Sequence, residues 1–282
     1  MNVTITGENG YISNEIATWL RFTDKQMNLQ LISVRGKIKI PINTDVLIHT
    51  AAIVHKKENH YQESDYFKIN TDLTIELAKK AKDQGVKHFV FFSTMAVYGV
   101  EQGEINQSSL LQPKTFYGKS KLAAEQALQS IEDESFTISI VRPPMIYGPN
   151  CPGNYKLLRK LAIKTPIFPY VQNQRSMLYI DNLCEFIYQL IINKDAGVFH
   201  PQDHTYINTA KMVLEISKQH KRHIILSKIS GLVIIKFFSD FTLVNKVFGN
   251  LTYAKNISKY RDNSYQRSDF KESIQKTEVI GR

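Results

Sequence analysis

The sequence is poor in cysteine and lacks any long apolar run. Its 282 residues include only two cysteines, Cys151 and Cys184, so we expect no disulfide framework and a reducing compartment. No uninterrupted apolar stretch reaches the roughly 18 residues that a membrane-spanning helix needs. Residues 1–5 are typical of a strand and lack the basic and long apolar segments of a secretory signal. These absences predict a cytoplasmic protein with no integral membrane segment.

Acidic residues are also scarce relative to basic ones. There are 26 aspartates and glutamates against 36 lysines and arginines, a net charge of +10. Such a balance favours anionic partners, although lysines spread over solvated surfaces explain it more simply. The densest basic stretch, 218–223, is short and has no interleaved aromatic residues, so no nucleic-acid partner is expected. His200, Asp203 and His204 are too few to predict a metal site.

The first half of the chain alternates short apolar runs with amphipathic segments, which is typical of an α/β fold. The predicted strands are 3–6, 29–34, 45–49, 88–93 and 138–141, and the predicted helices are 14–22, 72–84 and 119–129. We expect a Rossmann-type doubly wound parallel sheet over residues 1–150, joined by a returning segment near 176–200 that includes a helix over 180–192. Residues 151–282 are expected to form a smaller C-terminal substrate-binding lobe.

Two parts of the C-terminal half carry a less definite pattern. Residues 229–248 are apolar and amphipathic, with lysines at 228, 236 and 246. Packing into a core is the favoured interpretation of this segment, and attachment to a membrane surface is the alternative. The tail beyond Tyr260 is polar and is expected to be loosely ordered.

A glycine-containing turn joins the first predicted strand to the first helix, over residues 6–13. Gly7 permits a tight turn, and Gly10 allows a pyrophosphate to approach the backbone closely. The N-terminus of the following helix offers free N–H groups to the anion. Ser13 stands where the usual pattern has a third glycine. The turn is therefore predicted to bind a dinucleotide, with contacts from Gly7, Asn9, Gly10, Tyr11 and Ile12.

The end of the second predicted strand suggests which dinucleotide binds. NAD-binding enzymes place an acidic residue there to accept the ribose hydroxyls. Residues 33–36 contain no acid and do contain Arg35, whose guanidinium suits the 2′-phosphate of NADP. We therefore expect NADP(H) to be preferred, with NAD(H) as the alternative.

Tyr117 and Lys121 are four residues apart at the start of a predicted helix, which places them on one face. An ammonium about 4 Å from a phenol contributes on the order of 4 kcal/mol at an effective dielectric of about 20. That interaction is expected to lower the phenol pKa toward neutrality and to make Tyr117 an acid/base catalyst. Thr94, at the end of the strand 88–93, is the predicted hydroxyl partner that orients the substrate oxygen.

With these motifs together, the chain resembles the extended short-chain dehydrogenase/reductases, specifically their nucleotide-sugar epimerases, dehydratases and reductases. The resemblance runs along nearly the whole chain. It is carried by residues 6–13, 49–52, Asn70, 93–99, 117–121, 142–149, 153–154 and 175–182.

The resemblance implies a role for each matching position. Thr94, Tyr117 and Lys121 would be catalytic, with Tyr117 moving the C4 hydroxyl proton and Lys121 also holding the nicotinamide ribose. Further cofactor contacts are implied for Ala51, Ala52, Asn70, Ser93 and Pro144. Asn70 has a buried structural role as an equal alternative. Asn154 and Arg175 would bind the substrate diphosphate, since a guanidinium suits bidentate phosphate contact, with solvent-facing loop positions as the alternative.

Three reactions share this scaffold. A 4,6-dehydratase has an Asp-Glu pair after the catalytic threonine, whereas this chain has Met95 and Ala96, so dehydration is not expected. A UDP-4-keto-6-deoxyhexose reductase is favoured over a UDP-N-acetylglucosamine 4-epimerase, because the sequence resembles the capsule-locus reductases and has Arg35 in place of an acid. A non-catalytic NADP-binding sensor is a further alternative. A homodimer is expected, with 72–84 and 119–129 as candidate interface helices.

Overall fold

The computed structural model describes residues 1–36, 38–54, 61–238 and 241–279. The chain divides into two compact units, each built from three segments. Unit 1 comprises residues 1–99, 109–143 and 184–201. Unit 2 comprises residues 100–108, 144–183 and 202–282.

The described residues form twelve short strands and eleven α-helices. The strands are β1 (Asn2–Thr6), β2 (Asn28–Ile32), β3 (Val46–His49), β4 (His88–Phe92), β5 (Gly103–Ile105), β6 (Thr137–Val141), β7 (Met145–Tyr147), β8 (Ile167–Pro169), β9 (Met177–Tyr179), β10 (Gly197–Phe199), β11 (Ile225–Ser227) and β12 (Leu251–Tyr253). The helices are α1 (Tyr11–Thr23), α2 (Glu63–Phe67), α3 (Leu73–Asp83), α4 (Phe116–Gln129), α5 (Asn154–Lys164), α6 (Ile180–Asn193), α7 (Thr209–Gln219), α8 (Lys228–Phe238), α9 (Thr242–Phe248), α10 (Lys255–Ser258) and α11 (Phe270–Glu278). A π-helical turn, Lys68–Asp72, leads into α3, and a 3₁₀ turn, Met95–Tyr98, follows β4.

Unit 1 contains a six-stranded parallel sheet with the order β10-β6-β4-β3-β1-β2. Strand β1 pairs with β2 on one side and with β3 on the other, so the chain reverses its direction of travel across the sheet there. Ligands of such sheets bind at the carboxyl ends of the strands at this switch point. The expectation of a Rossmann-type α/β sheet is confirmed.

Helix α3 shows why this part of the sequence folds as expected. Its buried residues include Leu77, Ala78 and Ala81, which share a cluster with Phe89 and Phe91 of β4. Every residue of β4 is buried, as the continuous apolar run in the sequence predicts for a strand covered on both faces. A glycine with φ +80°, Gly85, follows the helix.

Unit 2 is built from three two-stranded parallel pairs, β5–β12, β7–β9 and β8–β11, together with several helices. Its last helix, α11, is capped by Asp269, whose carboxylate accepts from the Glu272 amide at 2.9 Å. The buried Glu278 carboxylate accepts hydrogen bonds from Tyr155 at 2.6 Å and Arg159 at 2.7 Å. The expectation of a loosely ordered tail was therefore wrong for 270–278, because buried contacts stabilise this polar segment.

Helix α8 also departs from expectation. Residues Ile229, Leu232, Val233 and Phe237 are exposed rather than buried in a core. The favoured interpretation of 229–248 as core was therefore wrong for α8, since periodicity shows that a helix has an apolar face without showing what covers it. Across the described ranges, no helix combines the length and apolarity that crossing a bilayer requires.

A buried ion pair in unit 1 joins α4 to β6. Arg142 donates to the Glu125 carboxylate through Nε at 3.0 Å and Nη2 at 2.5 Å, and both side chains are buried. Ser93 donates to the same carboxylate, and Nη1 of Arg142 donates to the Tyr98 hydroxyl at 2.8 Å. Tyr98 in turn bonds to His200 at 2.7 Å. The network connects α4, the end of β4, the 3₁₀ turn and the residue after β10.

Replacing Glu125 by glutamine tests how far this network stabilises unit 1. Glu125→Gln keeps the side-chain size but leaves the buried Arg142 guanidinium without its counter-charge, which should lower the free energy of unfolding by roughly 3 kcal/mol. Urea unfolding measures the change. Glu76→Gln is the matched control, because Glu76 pairs with Lys80 on an exposed helix surface and its loss should change stability by less than about 0.5 kcal/mol. Equal effects of the two substitutions would contradict the assigned importance of the buried pair.

Candidate functional site

The turn between β1 and α1 is held by its own backbone and by Ser13. Gly7 has φ +86°, a conformation that favours glycine, and the Gly10 amide donates to the Gly7 carbonyl at 2.7 Å. The Ser13 hydroxyl donates to the Gly7 carbonyl at 2.5 Å and to the Gly10 carbonyl at 2.9 Å. The serine in place of a third glycine thus stabilises the turn. Gly10 precedes α1 and makes no side-chain cap, and the N-terminus of a helix is a favourable place for an anion.

The segment after β3 lies directly beside this turn. The Thr50 hydroxyl donates to the Thr6 carbonyl at 2.7 Å, and the Ala51 amide donates to the Thr6 hydroxyl at 3.3 Å. A Cβ at Gly7 would lie 3.1 Å from Thr50 Oγ1 and 3.4 Å from the Ala51 amide nitrogen. A side chain at position 7 would therefore crowd Thr50 and Ala51 beside the switch point. The glycine turn at the carboxyl end of β1, beside the small residues Ala51 and Ala52 after β3, fits a dinucleotide pyrophosphate.

The other predicted cofactor residues differ in how far they are exposed. Asn9 and Arg35 are exposed. Tyr11, Ile12 and Ala52 are half-buried, and Ser93 is buried. Asn70 is different, because protein groups already use its amide: Oδ1 accepts from the Ile53 amide at 2.8 Å, and Nδ2 donates to the Ile53 carbonyl at 3.1 Å and to Ser120 at 3.1 Å. These contacts favour the structural alternative for Asn70, which fixes the loop after β3 to α4.

Tyr117 lies in the first turn of α4, next to Thr94. The Thr115 hydroxyl caps this helix by accepting from the Gly118 amide at 3.0 Å. A Cβ at Gly118 would lie only 2.8 Å from the Ala96 carbonyl oxygen, so the helix start packs against the backbone of the 3₁₀ turn. A side-chain hydrogen bond joins Tyr117 to Thr94. The two hydroxyls that were predicted to act together are thus brought together.

Lys121 lies one turn further along the buried face of α4. Its Nζ donates to the Phe92 carbonyl at 2.6 Å and lies 4.3 Å from the centroid of the Phe91 ring. Burial lowers the pKa of Lys121 to about 7, and the charge of Glu125 opposes that shift. The ammonium is therefore only partly populated at neutral pH.

The pKa of Tyr117 moves opposite to expectation. Burial raises it to about 12, and the hydrogen bond with Thr94 opposes the rise. The prediction that a lysine ammonium lowers this pKa was therefore wrong. The pKa rises because burial removes water from the phenolate, and the cost of this desolvation outweighs the hydrogen bond with Thr94. The phenol is therefore protonated at neutral pH.

Asn154 and Arg175, predicted to bind the substrate diphosphate, and the predicted cofactor residue Pro144 lie in unit 2. Asn154 is exposed in the first turn of α5, after Gly153. Arg175 is half-buried, and its Nη1 donates to the Asn245 carbonyl at 3.3 Å and the Gly249 carbonyl at 2.9 Å. Part of this guanidinium therefore stabilises the backbone before β12. Pro144 is buried immediately before β7.

The sequence reasoning missed Glu125 as a residue of this site. It occupies the position four residues after Lys121, so Tyr117, Lys121 and Glu125 share one face of α4. A carboxylate on the buried face of a predicted helix was the available signal, because such a group needs a cationic partner. Arg142, quoted only as part of a motif, is that partner.

The close approach at Gly7 gives the first prediction about this site. Gly7→Ala should raise the dissociation constant for a nicotinamide dinucleotide at least about tenfold, because the new Cβ displaces Thr50 and Ala51 from the turn. Fluorescence titration measures the constant. Gly85→Ala is the matched control, since its φ of +80° imposes similar backbone strain while its Cβ meets nothing within 4 Å. An equal loss of binding in both variants would attribute the effect to strain alone.

The lowered pKa of Lys121 predicts a pH-dependent stability. The unfolded lysine keeps the ordinary pKa of 10.5 while the folded value is about 7, so unfolding takes up a proton between these values. The stability of the native protein relative to Lys121→Met should therefore rise from about pH 7 to about pH 10 and fall as the pH drops toward 7. Thermal unfolding across this range measures the difference. Lys119→Met, at a half-exposed lysine of the same helix, should show no such trend, and a flat difference for Lys121→Met would contradict the shift.

Comparison with known proteins adds independent information on this arrangement. Residues 32–201 match the model of the NAD dependent epimerase/dehydratase family. The chain is 34% identical over 202 residues to a UDP-glucose 4-epimerase of Vibrio cholerae, a match that covers 66% of this chain and 60% of that protein. The chain thus spans less than two thirds of the length of this curated relative.

Solved structures share the fold at low sequence identity. A UDP-glucuronic acid 4-epimerase from Bacillus cereus, solved in complex with NAD, superimposes with a TM-score of 0.75 at 17% identity, covering 98% of this chain and 97% of that one. A dTDP-4-dehydrorhamnose reductase from Clostridium acetobutylicum gives a TM-score of 0.67 at 22% identity, covering 80% and 83%. Taken with the family match over more than half of its residues, these findings identify the chain as a member of the NAD dependent epimerase/dehydratase family.

Proposed function

We propose that this chain is an NAD(P)-dependent oxidoreductase acting at C4 of a UDP-sugar, and that it reduces a UDP-4-keto-6-deoxyhexose for surface polysaccharide biosynthesis. The observation that carries the proposal is the position of the buried Tyr117 hydroxyl. It is hydrogen-bonded to Thr94, and Tyr117 shares one face of α4 with Lys121. This combination supplies a proton donor and a hydroxyl that orients an oxygen, in a unit whose glycine turn fits a dinucleotide.

The protonation state of Tyr117 favours reduction over oxidation as the first step. Reduction of a C4 ketone needs an acid that protonates the oxygen as hydride reaches the carbon, and a phenol with a pKa of about 12 holds that proton at neutral pH. A reduced nicotinamide, when bound, supplies the hydride. Thr94 positions the ketone oxygen, and Tyr117 donates the proton to it.

Lys121 has a different task in this scheme. When the proton leaves Tyr117, a negative charge forms on a buried oxygen, which is unfavourable unless a cation offsets it. Lys121 lies one helical turn away on the same buried face and is partly protonated at neutral pH. Its bond to the Phe92 carbonyl holds the ammonium in place. Lys121 thus stabilises the phenolate in the transition state.

Dehydration between C5 and C6 is not part of the proposal. That reaction needs an acid and a base after the catalytic threonine. Met95 and Ala96 occupy these positions, in the 3₁₀ turn that Thr94 caps, and neither side chain transfers a proton.

A UDP-hexose 4-epimerase is the second candidate. The Vibrio cholerae relative bears that name, and the family description includes epimerases. An epimerase begins by oxidising the C4 hydroxyl, so Tyr117 would first act as a base. The raised pKa disfavours that order in the free protein. A non-catalytic NADP-binding sensor is a weaker candidate, because Thr94, Tyr117 and Lys121 are all present.

Two incubations separate the reactions. Purified protein is given UDP-4-keto-6-deoxy-N-acetylglucosamine with NADPH, and separately UDP-N-acetylglucosamine with no added reductant. The proposal predicts NADPH consumption in the first and no product in the second. Formation of the 4-epimer in the second incubation would establish the epimerase instead, and no turnover in either would favour the sensor.

Removal of the Tyr117 hydroxyl tests the mechanism. Tyr117→Phe should lower the turnover number at least about 10²-fold, because general acid catalysis typically contributes that much. The dissociation constant for the dinucleotide should change little, as measured by titration. Tyr188→Phe is a matched control, at a half-buried tyrosine of α6 in the same unit, and should keep full turnover. Full activity in Tyr117→Phe would remove Tyr117 as the proton donor.

Arg35 should determine the choice of dinucleotide. It lies three residues after β2, is exposed, and has no acid beside it in residues 33–36. Arg35→Asp should raise the dissociation constant for NADPH at least about tenfold and leave that for NADH equal or lower, because the carboxylate repels the 2′-phosphate. Arg21→Asp, at an exposed arginine of α1, is the charge-matched control. Equal affinities of the native protein for NADPH and NADH would contradict the preference.

The proposal also includes a cellular compartment and an oligomeric state. Cys151 and Cys184 are both buried and form no disulfide, which supports a reducing compartment such as the cytoplasm. A homodimer through the helices α3 and α4 belongs to the same proposal.

A further inference from the structure

Helix α8 presents an apolar stripe to solvent. Ile229, Leu232, Val233 and Phe237 recur at the i, i+3, i+4 and i+8 spacing that normally faces a core. Here Ile229 is 78% exposed, Leu232 72% and Phe237 65%. Single exposed apolar side chains are common on proteins, whereas a contiguous stripe indicates an interaction surface.

The packing of α8 fixes which of its faces is outward. Gly231 is the buried residue of this helix, and a Cβ there would lie 2.0 Å from the Tyr170 carbonyl oxygen. The helix backbone therefore packs directly against the chain just after β8. A rotation that buried the stripe would bring side chains to this backbone contact, where the structure leaves no room for one.

The apolar surface continues onto the neighbouring strand pair. Ile225 of β11 pairs in register with Ile167 of β8, and both side chains are more than half exposed. Strand β11 ends at Ser227 and α8 begins at Lys228, so the two exposed regions are consecutive along the chain. We call Ile167, Ile225 and the exposed stripe of α8 together the apolar face.

The charged residues of α8 are both lysines, and the sequence around the helix is rich in basic residues. Lys228 and Lys236 are exposed on α8 itself. Between residues 205 and 260 the sequence has nine lysines and arginines against two acids, Glu215 and Asp240. Glu215 already pairs with Lys218 at 2.7 Å. A lysine within an apolar stripe extends its methylene chain along the apolar surface and keeps the ammonium in a polar layer, such as lipid phosphates.

A second copy of this chain fits the surface poorly. An 11-residue helix is about 16 Å long and about 10 Å wide, which is a small footprint beside the roughly 800 Å² per partner of a stable interface. A two-fold dimer would also oppose Lys228 and Lys236 to the same lysines of the second copy. A lipid layer with an apolar interior and an anionic surface would contact the apolar side chains of the stripe and also pair with the lysines.

We propose that the apolar face docks this protein on the surface of an anionic lipid bilayer. Helix α8 lies in the plane of the interface, with Ile229, Leu232 and Phe237 inserted among the upper acyl chains. Lys228 and Lys236 contact the headgroup phosphates. The attachment is peripheral and reversible, because one short helix buries little apolar area and its lysines are screened by salt.

Vesicle flotation tests the proposal with the 282-residue chain. The native chain should bind vesicles of phosphatidylcholine with about a third phosphatidylglycerol, bind pure phosphatidylcholine vesicles at least about tenfold more weakly, and dissociate from the anionic vesicles as salt is raised. Two double variants, Leu232→Gln/Phe237→Gln and Lys228→Glu/Lys236→Glu, should each lose at least about tenfold in partition coefficient. Phe22→Gln is the matched control, because Phe22 is 86% exposed in unit 1 and should bind as the native chain does.

The outcomes separate the possible occupants of the face. Unchanged vesicle binding in both double variants, or no binding by the native chain, would overturn the proposal. A change of molar mass by light scattering in Leu232→Gln/Phe237→Gln, without a loss of vesicle binding, would assign the face to a second copy instead. Thermal unfolding confirms that each variant is folded. Because binding is measured without substrate, the result is independent of whether the proposed reduction is correct.

Discussion

The candidate catalytic arrangement depends on the buried ion pair between Glu125 and Arg142. Helix α4 carries Tyr117 and Lys121, and this pair is what ties its buried face to β6 and, through Ser93, to the end of β4. A buried carboxylate and guanidinium tolerate little displacement, because every lost hydrogen bond leaves a desolvated charge. The geometry of Tyr117 is therefore fixed from within the unit, independently of any ligand.

Burial shifts the pKa values of Tyr117 and Lys121 in opposite directions. It makes the phenol of Tyr117 a weaker acid and the ammonium of Lys121 a stronger one, since each charged form loses its hydration. Glu125 limits the effect on Lys121, and Thr94 limits that on Tyr117. The expected picture, in which a fully charged lysine activates a phenolate, is thus replaced by a protonated phenol beside a lysine that titrates near neutrality.

Features that depend on local backbone geometry were predictable. Gly7 indicates a turn because few other residues adopt its φ of +86°, and the four-residue spacing of Tyr117 and Lys121 defines a shared helix face wherever the helix packs. Features that depend on long-range packing were not predictable. Arg142, the partner of Glu125, lies 17 residues further along the chain, immediately after β6, and the amide of Asn70 is used by Ile53 and Ser120.

Helix α8 shows most directly where periodicity stops being informative. An apolar stripe has the same spacing whether it faces a core, a second protein or a lipid layer, so the sequence favours the commonest of these, the core. The orientation of α8 is determined by Gly231, which lies on the helix face opposite the stripe and packs against the backbone at Tyr170. A residue without a side chain therefore determines that four large apolar side chains point to solvent. A surface that accepts both apolar and cationic groups would accommodate these side chains together with Lys228 and Lys236.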